Sequence, residues 1–402
     1  MPLKRTTGLD LLAGTVVLDL TTSIAGPYAA QILGDMGATV IKVERPGRGD
    51  DARAWGPPFL DGESLWFMSV NRNKRSVTLD YVNEEGHAVL MDLVAKADIV
   101  ILNISARAQR KLRLDAATLA NVRPGLIHVS LTGFGVEGTR ADAPCYDLIA
   151  EGYSGVMDVT GEPDGPPQKV GTPAADLLAG QDAAMAALAA LLRRVRDQQG
   201  CVVDISMYES MTRFMAPRLM PFLGSGDVSR RSGGRDSVIA IYQVFQTGDE
   251  PMTLGLGNDA IWQRFWTAVG EPDAANHATY GSNAQRRERR EEIVERIASI
   301  LHTRPRAHWL DVLGAARVPC GPIHRLDEVA ADEELHKRGF IYRVESGGRT
   351  IPQVGLGIRF DGETESCVYA PPKLGEHTQE ILGHWLGLEP SAVDELRSKH
   401  II

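Results

Sequence analysis

Asp176 is a candidate for covalent chemistry because of the residues around it. It stands in Gly171-Thr-Pro-Ala-Ala-Asp-Leu-Leu-Ala-Gly, where its neighbours are small or apolar. A carboxylate in such surroundings loses part of its hydration, which favours its use as a nucleophile. The same aspartate precedes a long stretch rich in Ala and Leu, so it equally fits a plain helix N-cap. From the residues alone, the cap is the favoured interpretation.

Two clusters of basic residues stand out in a chain whose formal net charge is -9. The clusters either meet one polyphosphate ligand or form two solvated faces, and charge alone favours the faces. The acidic balance argues against binding to a nucleic-acid backbone. The clustered residues are Arg72, Lys74 and Arg75, and then Arg107, Arg110, Lys111 and Arg113.

Common catalytic and binding motifs are missing from the sequence. The run after Val17 lacks the later glycines of GxGxxG, and the chain has neither GxxxxGK[ST] nor GxSxG. No metal-ligand spacing appears among its cysteines and histidines, so no metal is expected. We predict four unpaired thiols in a cytoplasmic, soluble protein with no membrane partner. These thiols are Cys145, Cys201, Cys320 and Cys367.

The elements that must position these residues alternate between strand and helix in the first half of the chain. Periodicity predicts helices over 83–97 and 180–196, between strands at 15–20, 39–43, 99–102, 126–130 and 202–205. Such alternation predicts an α/β fold with a doubly wound, mainly parallel sheet. We expect a large domain over 1–224, a smaller α/β domain over 225–330, and a C-terminal segment, 331–402, that returns to the large domain.

The ordered fragments of the sequence resemble family III CoA-transferases, the group that includes formyl-CoA transferase and the carnitine and bile-acid CoA-transferases. The resemblance covers nearly the whole chain. It rests on VLDLTTSIAGPYAAQILGDMGATVIKVERPGRGD at 17–50, NRNKRSVTLD at 71–80, ADIVILN at 97–103, YDLIAEGYSGVMDVTGEPDGPPQKVGTPAADLLAG at 146–180, VPCGPI at 318–323 and LGEHT at 374–378.

The resemblance implies that Asp176 is the catalytic nucleophile. It would attack the thioester of a donor acyl-CoA, giving a mixed anhydride and CoA thiolate. The thiolate would then attack the aspartyl carbonyl, which releases the donor acid and leaves an aspartyl-CoA thioester. The acceptor carboxylate would run these steps backwards. Backbone amides must stabilise the oxyanions, and glycines of the smaller domain are candidates.

The same resemblance implies where coenzyme A binds and how the chains assemble. Arg45 and Lys111 would meet the CoA phosphates, and Leu79 would flank the adenine. The bland alternatives are a surface arginine, a surface lysine and a core leucine. The family also implies an interlocked homodimer. All the CoA contacts carried over are Ile24, Ala25, Arg45, Leu79, Asn103, Lys111 and Tyr146.

Departures from the family pattern bear on the reaction. Formyl-CoA transferases carry glutamine where this chain has Ile24, which disfavours formate and oxalate. Related 2-methylacyl-CoA racemases use a histidine where this chain has Tyr146, and tyrosine is a poor general base at neutral pH. This favours transfer over racemisation. A non-catalytic CoA-binding protein is a third interpretation, which Asp176 argues against.

Three arginines would either pair with a dicarboxylate such as succinate or belong to a solvated loop. The solvated loop is the favoured interpretation. The residues are Arg230, Arg231 and Arg235.

Overall fold

The computed structural model describes residues 9–364 and 369–402. Their contacts divide the chain into two compact units. The larger unit holds the residues up to 156, 170–216 and 333–402, and the smaller unit holds 157–169 and 217–332. Met157–Lys169 therefore goes with the smaller unit. The boundaries predicted at residues 224 and 330 do not include this short excursion of the chain.

The elements up to residue 225 are strands and helices, and several of the helices follow one another directly. In chain order they are β1 (Val16–Asp19), α1 (Ala25–Asp35), β2 (Thr39–Glu44), a 3-10 turn (Asp51–Ala54), β3 (Phe59–Leu60), β4 (Glu63–Ser64), α2 (Leu65–Ser69), β5 (Lys74–Thr78), α3 (Glu84–Lys96), β6 (Ile99–Leu102), α4 (Ala106–Lys111), α5 (Ala116–Val122), β7 (Ile127–Thr132), α6 (Asp147–Ser154), α7 (Val156–Val159), α8 (Ala174–Asp197), β8 (Cys201–Ser206), α9 (Met207–Phe214) and α10 (Ala216–Ser225).

The remaining elements are shorter on average, and they continue the chain order. They are β9 (Tyr242–Gln246), β10 (Pro251–Gly255), α11 (Asp259–Ala268), α12 (Pro272–Ala275), α13 (Asn283–Glu288), α14 (Arg290–Leu301), α15 (Arg306–Ala315), β11 (Cys320–Pro322), α16 (Leu326–Ala330), α17 (Glu333–Lys337), β12 (Ile341–Ser346), β13 (Arg349–Val354), a π-helical turn (Glu380–Trp385) and α18 (Pro390–Ser398).

A six-stranded sheet organises the larger unit, in the order β5-β2-β1-β6-β7-β8. Every neighbouring pair in it is parallel, which confirms the predicted parallel α/β sheet. The central strand β6 reads Ile-Val-Ile-Leu and is buried throughout, as expected for a strand covered on both faces. The chain winds outward from β1 through β2 to β5, and it then starts again at β6 on the other side of β1. Ligands of such sheets bind at this reversal, beyond the carboxyl ends of the strands.

The two faces of the sheet differ in chemistry because side chains alternate along each strand. One face is mostly apolar: Leu18, Ile41 and Val100 pack in one buried cluster with Leu90 of α3 and Leu396 of α18. The opposite face carries the buried aspartate of β1 and the buried lysines of β2 and β5, and the lysines bond to the turn after β1 and to α1. The polar network of the molecule therefore lies under α1.

Helix α8 packs closely on α1 because Gly180 has no side chain. A Cβ atom added there would lie 2.5 Å from the carbonyl oxygen of Ala25. By length and composition α8 is apolar enough to cross a membrane. It also contacts α1, α9, β7 and β8, so we interpret it as a core helix of the larger unit.

The smaller unit has its own hydrophobic core. Its sheet is antiparallel, in the order β11-β10-β9. Trp262 meets Trp266 edge-to-face, with ring centroids 5.4 Å apart, and both indoles are fully buried. Four further aromatic side chains belong to the same buried cluster: Phe245, Phe265, Tyr280 and Trp309. Such a core is sufficient to organise the unit around its three strands.

Candidate active site

Asp176 is the third residue of α8, so it is not the N-cap of that helix. The carboxylate of Asp147, the first residue of α6, takes that role. Its Oδ1 accepts the backbone amides of Ala175 at 2.8 Å and of Asp176 at 3.3 Å. The plain N-cap interpretation of Asp176 is therefore wrong, because another carboxylate satisfies the orphan amides of the helix. The Asp176 side chain is left for another purpose.

The carboxylate of Asp176 is poorly solvated and has an acidic neighbour. Burial raises the pKa of Asp176 to about 7, and the charge of Asp147 adds to the rise. Within the described part of the chain, no hydrogen bond or ion pair reaches the Asp176 carboxylate. A carboxyl group held in this way, with no structural partner, is typical of functional sites.

Three segments of the larger unit meet at Asp176. Gly180 lies one turn along the same face of α8, and its contact with Ala25 places Asp176 beside the start of α1. On another side lies Cys145, whose thiol has a pKa raised to about 11 by burial and by the charge of Asp176. Gly133, just after β7, packs against Cys145, since a Cβ atom added there would lie 2.1 Å from the Cys145 Cβ. The ends of β1 and β7 and the start of α8 thus form one site.

Side chains from neighbouring segments form hydrogen bonds with the backbone of the turn after β1. Asn103, which follows β6, donates from Nδ2 to the Thr22 carbonyl at 2.7 Å and accepts the Thr22 amide at 3.1 Å. Lys42 donates to the Thr21 carbonyl at 2.9 Å, and Asp50 accepts the Ser23 amide at 2.9 Å. Ser23 has a positive φ of 71°. The surrounding bonds hold this unusual conformation in place.

A buried ion network supports that turn from below. Lys74 donates to Asp19 at 2.9 Å and to the Pro27 carbonyl at 2.7 Å, and Lys42 pairs with Asp50 at 2.8 Å. Burial alone would raise the pKa of Asp19. The charges of Lys42 and Lys74 together have a larger effect than burial, and they lower the pKa of Asp19 to about 2. Burial lowers the pKa of Lys74 to about 8, against the attraction of Asp19. The charges are balanced within the network.

The residues predicted to contact CoA lie in different parts of the larger unit. Ile24 and Ala25 are buried at the start of α1, at the reversal point of the sheet, and Asn103 is bonded to the turn just before them. Tyr146 is exposed and directly precedes Asp147, whose carboxylate accepts the backbone amide of Asp176. The structure therefore brings these four residues to the same end of the sheet as Asp176.

The other three predicted contacts are more varied. Arg45 is exposed just after β2 and pairs with Asp51 at 2.8 Å, and Lys111 is exposed at the end of α4. Leu79 is 0% exposed in the apolar cluster, so its side chain offers no surface to an adenine ring. Its expected contact with the adenine can hold only through its main chain.

The basic cluster at residues 72–75 does not face a ligand or solvent. Arg72 pairs with Asp35 at 2.6 Å, and Lys74 and Arg75 are fully buried. The interpretation of this cluster as a solvated face is wrong, and so is its use for polyphosphate, because burial and internal pairing already occupy these charges. The second cluster remains available, since Arg107, Arg110 and Lys111 are exposed on α4.

Sequence reasoning missed Asp147 and the buried ion network. The signal for the network is a charged residue between apolar neighbours within a strand, as at Lys42 in Thr-Val-Ile-Lys-Val-Glu. Such a residue is buried only with partners. Nothing local marks Asp147, because its partner amides lie 28 and 29 residues later.

Other predicted features concern metals and thiols. Within residues 9–364 and 369–402, no group of three His, Cys, Asp or Glu side chains is arranged to hold a metal ion. Cys145, Cys201 and Cys320 are free thiols. Cys367 lies outside the described residues.

Comparison with known proteins identifies a consistent set of relatives. The family model "CoA-transferase family III" matches residues 12–378. Succinate–glutarate CoA-transferase of Agrobacterium fabrum is 36% identical over 95% of this chain and 97% of its own length. Acetyl-CoA:oxalate CoA-transferase of Acetobacter aceti is 35% identical over 87% of this chain and 89% of its own. A CAIB/BAIF family protein from Brucella suis has a solved structure with a TM-score of 0.82 and 35% identity, covering 93% of this chain and 98% of that one.

Proposed function

The chain belongs to CoA-transferase family III and is a CoA-transferase, and from this premise we propose that it exchanges CoA between an acyl-CoA and a free carboxylic acid through a thioester on Asp176. One observation carries the proposal. The Asp176 carboxylate is half-buried, has a raised pKa and lacks a structural partner, and it lies beside the reversal point of the sheet. A desolvated carboxylate at a ligand-binding edge is suited to nucleophilic attack on a thioester carbonyl.

The proposed reaction proceeds in balanced steps on this side chain. Asp176 in its ionised form attacks the thioester carbonyl, and CoA thiolate leaves as a mixed anhydride forms. The thiolate attacks the aspartyl carbonyl of the anhydride and expels the donor acid as its carboxylate. The acceptor carboxylate then attacks the aspartyl thioester, and the steps reverse to give a new acyl-CoA and free Asp176. The energy of the thioester is retained throughout, so no ATP is needed.

The positions of the side chains support a binding mode for CoA at the carboxyl end of the sheet. The clamped turn at residues 21–25 would contact the CoA at the reversal point. Arg45 and Lys111 are exposed and cationic, which suits them to its phosphates. Asn103 would act by holding the turn as well as by any direct contact, because both polar atoms of its amide already bond to Thr22.

Short dicarboxylic acids are the proposed substrates. The relatives of this chain include proteins named succinate–glutarate, succinyl-CoA:glutarate and succinyl-CoA:mesaconate CoA-transferases. Each of these names contains acids with two carboxyl groups. For this chain we propose succinyl-CoA as a donor and a four- or five-carbon dicarboxylate as an acceptor.

The working protein is proposed to be a cytoplasmic homodimer. Leu192 and Val195 of helix α8 are 75% and 76% exposed. Val202 lies in the edge strand β8, which follows α8 in the chain, and it is also exposed. Large apolar side chains grouped on neighbouring elements are typical of surfaces that a partner covers. A second copy of this chain is the partner that the family implies.

Isotope exchange tests the transfer reaction directly. The purified enzyme is incubated with unlabelled succinyl-CoA and labelled succinate, without any other acid. We expect label to enter succinyl-CoA, and we expect Asp176→Asn to abolish the exchange. Label that stays in free succinate, together with deuterium uptake at the carbon next to the thioester carbonyl, would instead indicate a racemase.

A further inference from the structure

Lys74, the first residue of β5, is fully buried and uses all of its hydrogen-bond donors. Its Nζ donates to Oδ2 of Asp19 at 2.9 Å, to the Pro27 carbonyl at 2.7 Å and to Oδ1 of Asn71 at 2.8 Å. An ammonium group has three N–H donors, so each of them has one partner here. The three bonds hold these partners around a single nitrogen atom.

Two of the partners lie at the two ends of the turn after β1. Asp19 is the last residue of β1, and Pro27 is the third residue of α1. Oδ1 of Asp19 also accepts the Thr21 amide at 3.0 Å, so this carboxylate joins Lys74 to the backbone of the turn. Lys42 bonds to the Thr21 carbonyl within the turn, whereas Lys74 links the strand before the turn to the helix after it.

The segment that Lys74 holds is also the segment that contacts α8. Gly180 packs against the Ala25 carbonyl, since a Cβ atom added to Gly180 would lie 2.5 Å from that oxygen. Ala25 lies two residues before Pro27, and Asp176 lies about one helical turn before Gly180. The position of Pro27 therefore affects the distance between the turn and Asp176.

The side chains around Lys74 are charged although they are buried. The Nζ atoms of Lys74 and Lys42 lie 2.9 Å and 3.8 Å from Oδ2 of Asp19, and all three side chains are 0% exposed. Burial of such charges costs solvation free energy, and apolar side chains of similar volume often stabilise a fold equally well. Charge-assisted hydrogen bonds are strong and directional, so this arrangement is better suited to fixing the backbone than to adding stability.

We propose that Lys74 is a positioning residue for the transfer of CoA. It holds the turn and, through α1, the start of α8, so that a thioester bound at the turn lies within reach of the Asp176 carboxylate. Lys74 itself is buried and does not touch the substrate. This inference rests on the proposed function, and it adds a residue outside the predicted CoA contacts on which the rate of attack depends.

Single-turnover kinetics test this role. The protein is mixed with saturating succinyl-CoA, and the gain in protein mass that marks a thioester of CoA is followed over time. The test variant is Asp19→Asn/Lys74→Met, which removes one negative and one positive charge together and leaves Lys42 paired with Asp50. We expect the first-order rate constant to fall about 100-fold, since a displacement of about 1 Å between reacting groups has an effect of this size.

The rate constant distinguishes positioning from folding. A variant that is only less stable forms less adduct, but its folded molecules react with the rate constant of the wild type. Asp19→Asn alone is a milder variant, because Lys74 keeps its bonds to Pro27 and Asn71. Its rate constant should lie between those of the wild type and the double variant.

The matched control is Asp98→Asn/Arg194→Met. This ion pair of 3.1 Å belongs to the same unit, and Asp98 directly precedes β6, at the end of the sheet opposite to the turn. The control should react with the rate constant of the wild type.

Two further outcomes separate this inference from the proposed function. If Asp19→Asn/Lys74→Met, or Asp19→Asn where only that variant folds, reacts with the rate constant of the wild type, Lys74 only stabilises the fold. The inference is then overturned, while the proposed function stands. A wild type that forms no adduct would contradict the proposed function, and with it this inference.

Discussion

Asp176 connects the electrostatics of the site with its chemistry. Only the ionised carboxylate can attack a thioester, yet burial and Asp147 disfavour ionisation. Asp176, the proposed nucleophile, is therefore poorly solvated, which would make it reactive once it loses its proton. Its pKa of about 7 should appear both in catalysis and in stability.

We predict that kcat/KM of the wild type rises with pH through about 7, as Asp176 ionises. Replacing Asp147 by Asn removes a negative charge but keeps an oxygen that can accept the two amides. The midpoint of the pH profile should therefore move to lower pH. The profiles are compared by initial rates between about pH 5 and about pH 9.

The control for this profile is Asp142→Asn, at an exposed carboxylate earlier in the same loop. That variant should leave the midpoint unchanged. A midpoint that stays in place in Asp147→Asn, or rises, would show that Asp147 does not act on the ionisation of Asp176.

The stability of the folded protein should also depend on the ionisation of Asp176. The folded pKa of Asp176 lies above its ordinary value of 3.8, so the folded state holds this proton more tightly than the unfolded chain. The stabilisation is complete below the unfolded pKa and is lost as pH rises through about 7. Asp176→Asn stays neutral, so its Tm should exceed that of the wild type by a few degrees, on the order of 2–4 °C, at about pH 8 and by less at about pH 5. Calorimetry that finds the same difference at both pH values would contradict this account.

At the scale of elements, residues from other parts of the larger unit fix the conformation of the turn after β1. Asn103 follows β6, Lys42 lies in β2, and Asp50 comes from the loop after β2. The turn thus depends on three neighbouring parts of the sheet region. Its conformation is set before any ligand binds, which reduces the entropy that binding would cost.

Asn103→Ala should loosen this turn, since it removes two hydrogen bonds to Thr22. Each such bond contributes about 1 kcal/mol, so we expect the KM for acyl-CoA to rise on the order of 10-fold. If Asn103 acts by holding the turn, the loss should persist with an acyl-pantetheine, which lacks the nucleotide of CoA. An effect confined to full-length CoA would indicate a direct contact with the nucleotide instead. Asn276→Ala, at an exposed asparagine of the smaller unit, is the control.

The elements themselves were largely predictable, and the reason is periodicity. The strands expected at 15–20, 39–43, 99–102, 126–130 and 202–205 correspond to β1, β2, β6, β7 and β8. These runs are rich in β-branched residues and lie between helices of regular apolar spacing. The start of α8 was predicted at residue 180 but lies at Ala174, because its cap comes from Asp147 in a different helix.

The candidate site was less predictable than the fold, for physical reasons. Asp176 was found through a resemblance, since local sequence favours a cap at that position. The role of Asn103 in the turn and the burial of Leu79 depend on pairings between strands that are distant in sequence. The edge of β5 gives a further case: the Ser76 carbonyl accepts the His377 amide at 2.9 Å, a contact across 301 residues. Local sequence patterns do not predict contacts between residues that are so far apart along the chain.

At the scale of the whole molecule, helix α8 presents large apolar side chains at its surface. Leu192 and Val195 lie three residues apart, on the same face of the helix. We predict that light scattering gives the wild type twice the mass of one chain. Replacing both residues by Glu should lower the fraction of dimer, or reduce the yield of folded protein, because charges would be buried at the contact.

The matched control is Val82→Glu, at a valine that is 72% exposed in the same unit. It adds a charge at a similarly exposed position away from α8, so the mass should not change. A wild type with the mass of one chain would contradict the proposed homodimer, but it would leave the chemistry of Asp176 untouched.

Intact-protein mass spectrometry tests the central claim most directly. The wild type and Asp176→Ala are each incubated with succinyl-CoA, with and without hydroxylamine. The wild type alone should gain the mass of CoA less one water, and hydroxylamine should remove this adduct because a thioester links it to the protein. An adduct that persists in Asp176→Ala, or no adduct with any acyl-CoA donor, would contradict the claim that Asp176 carries CoA.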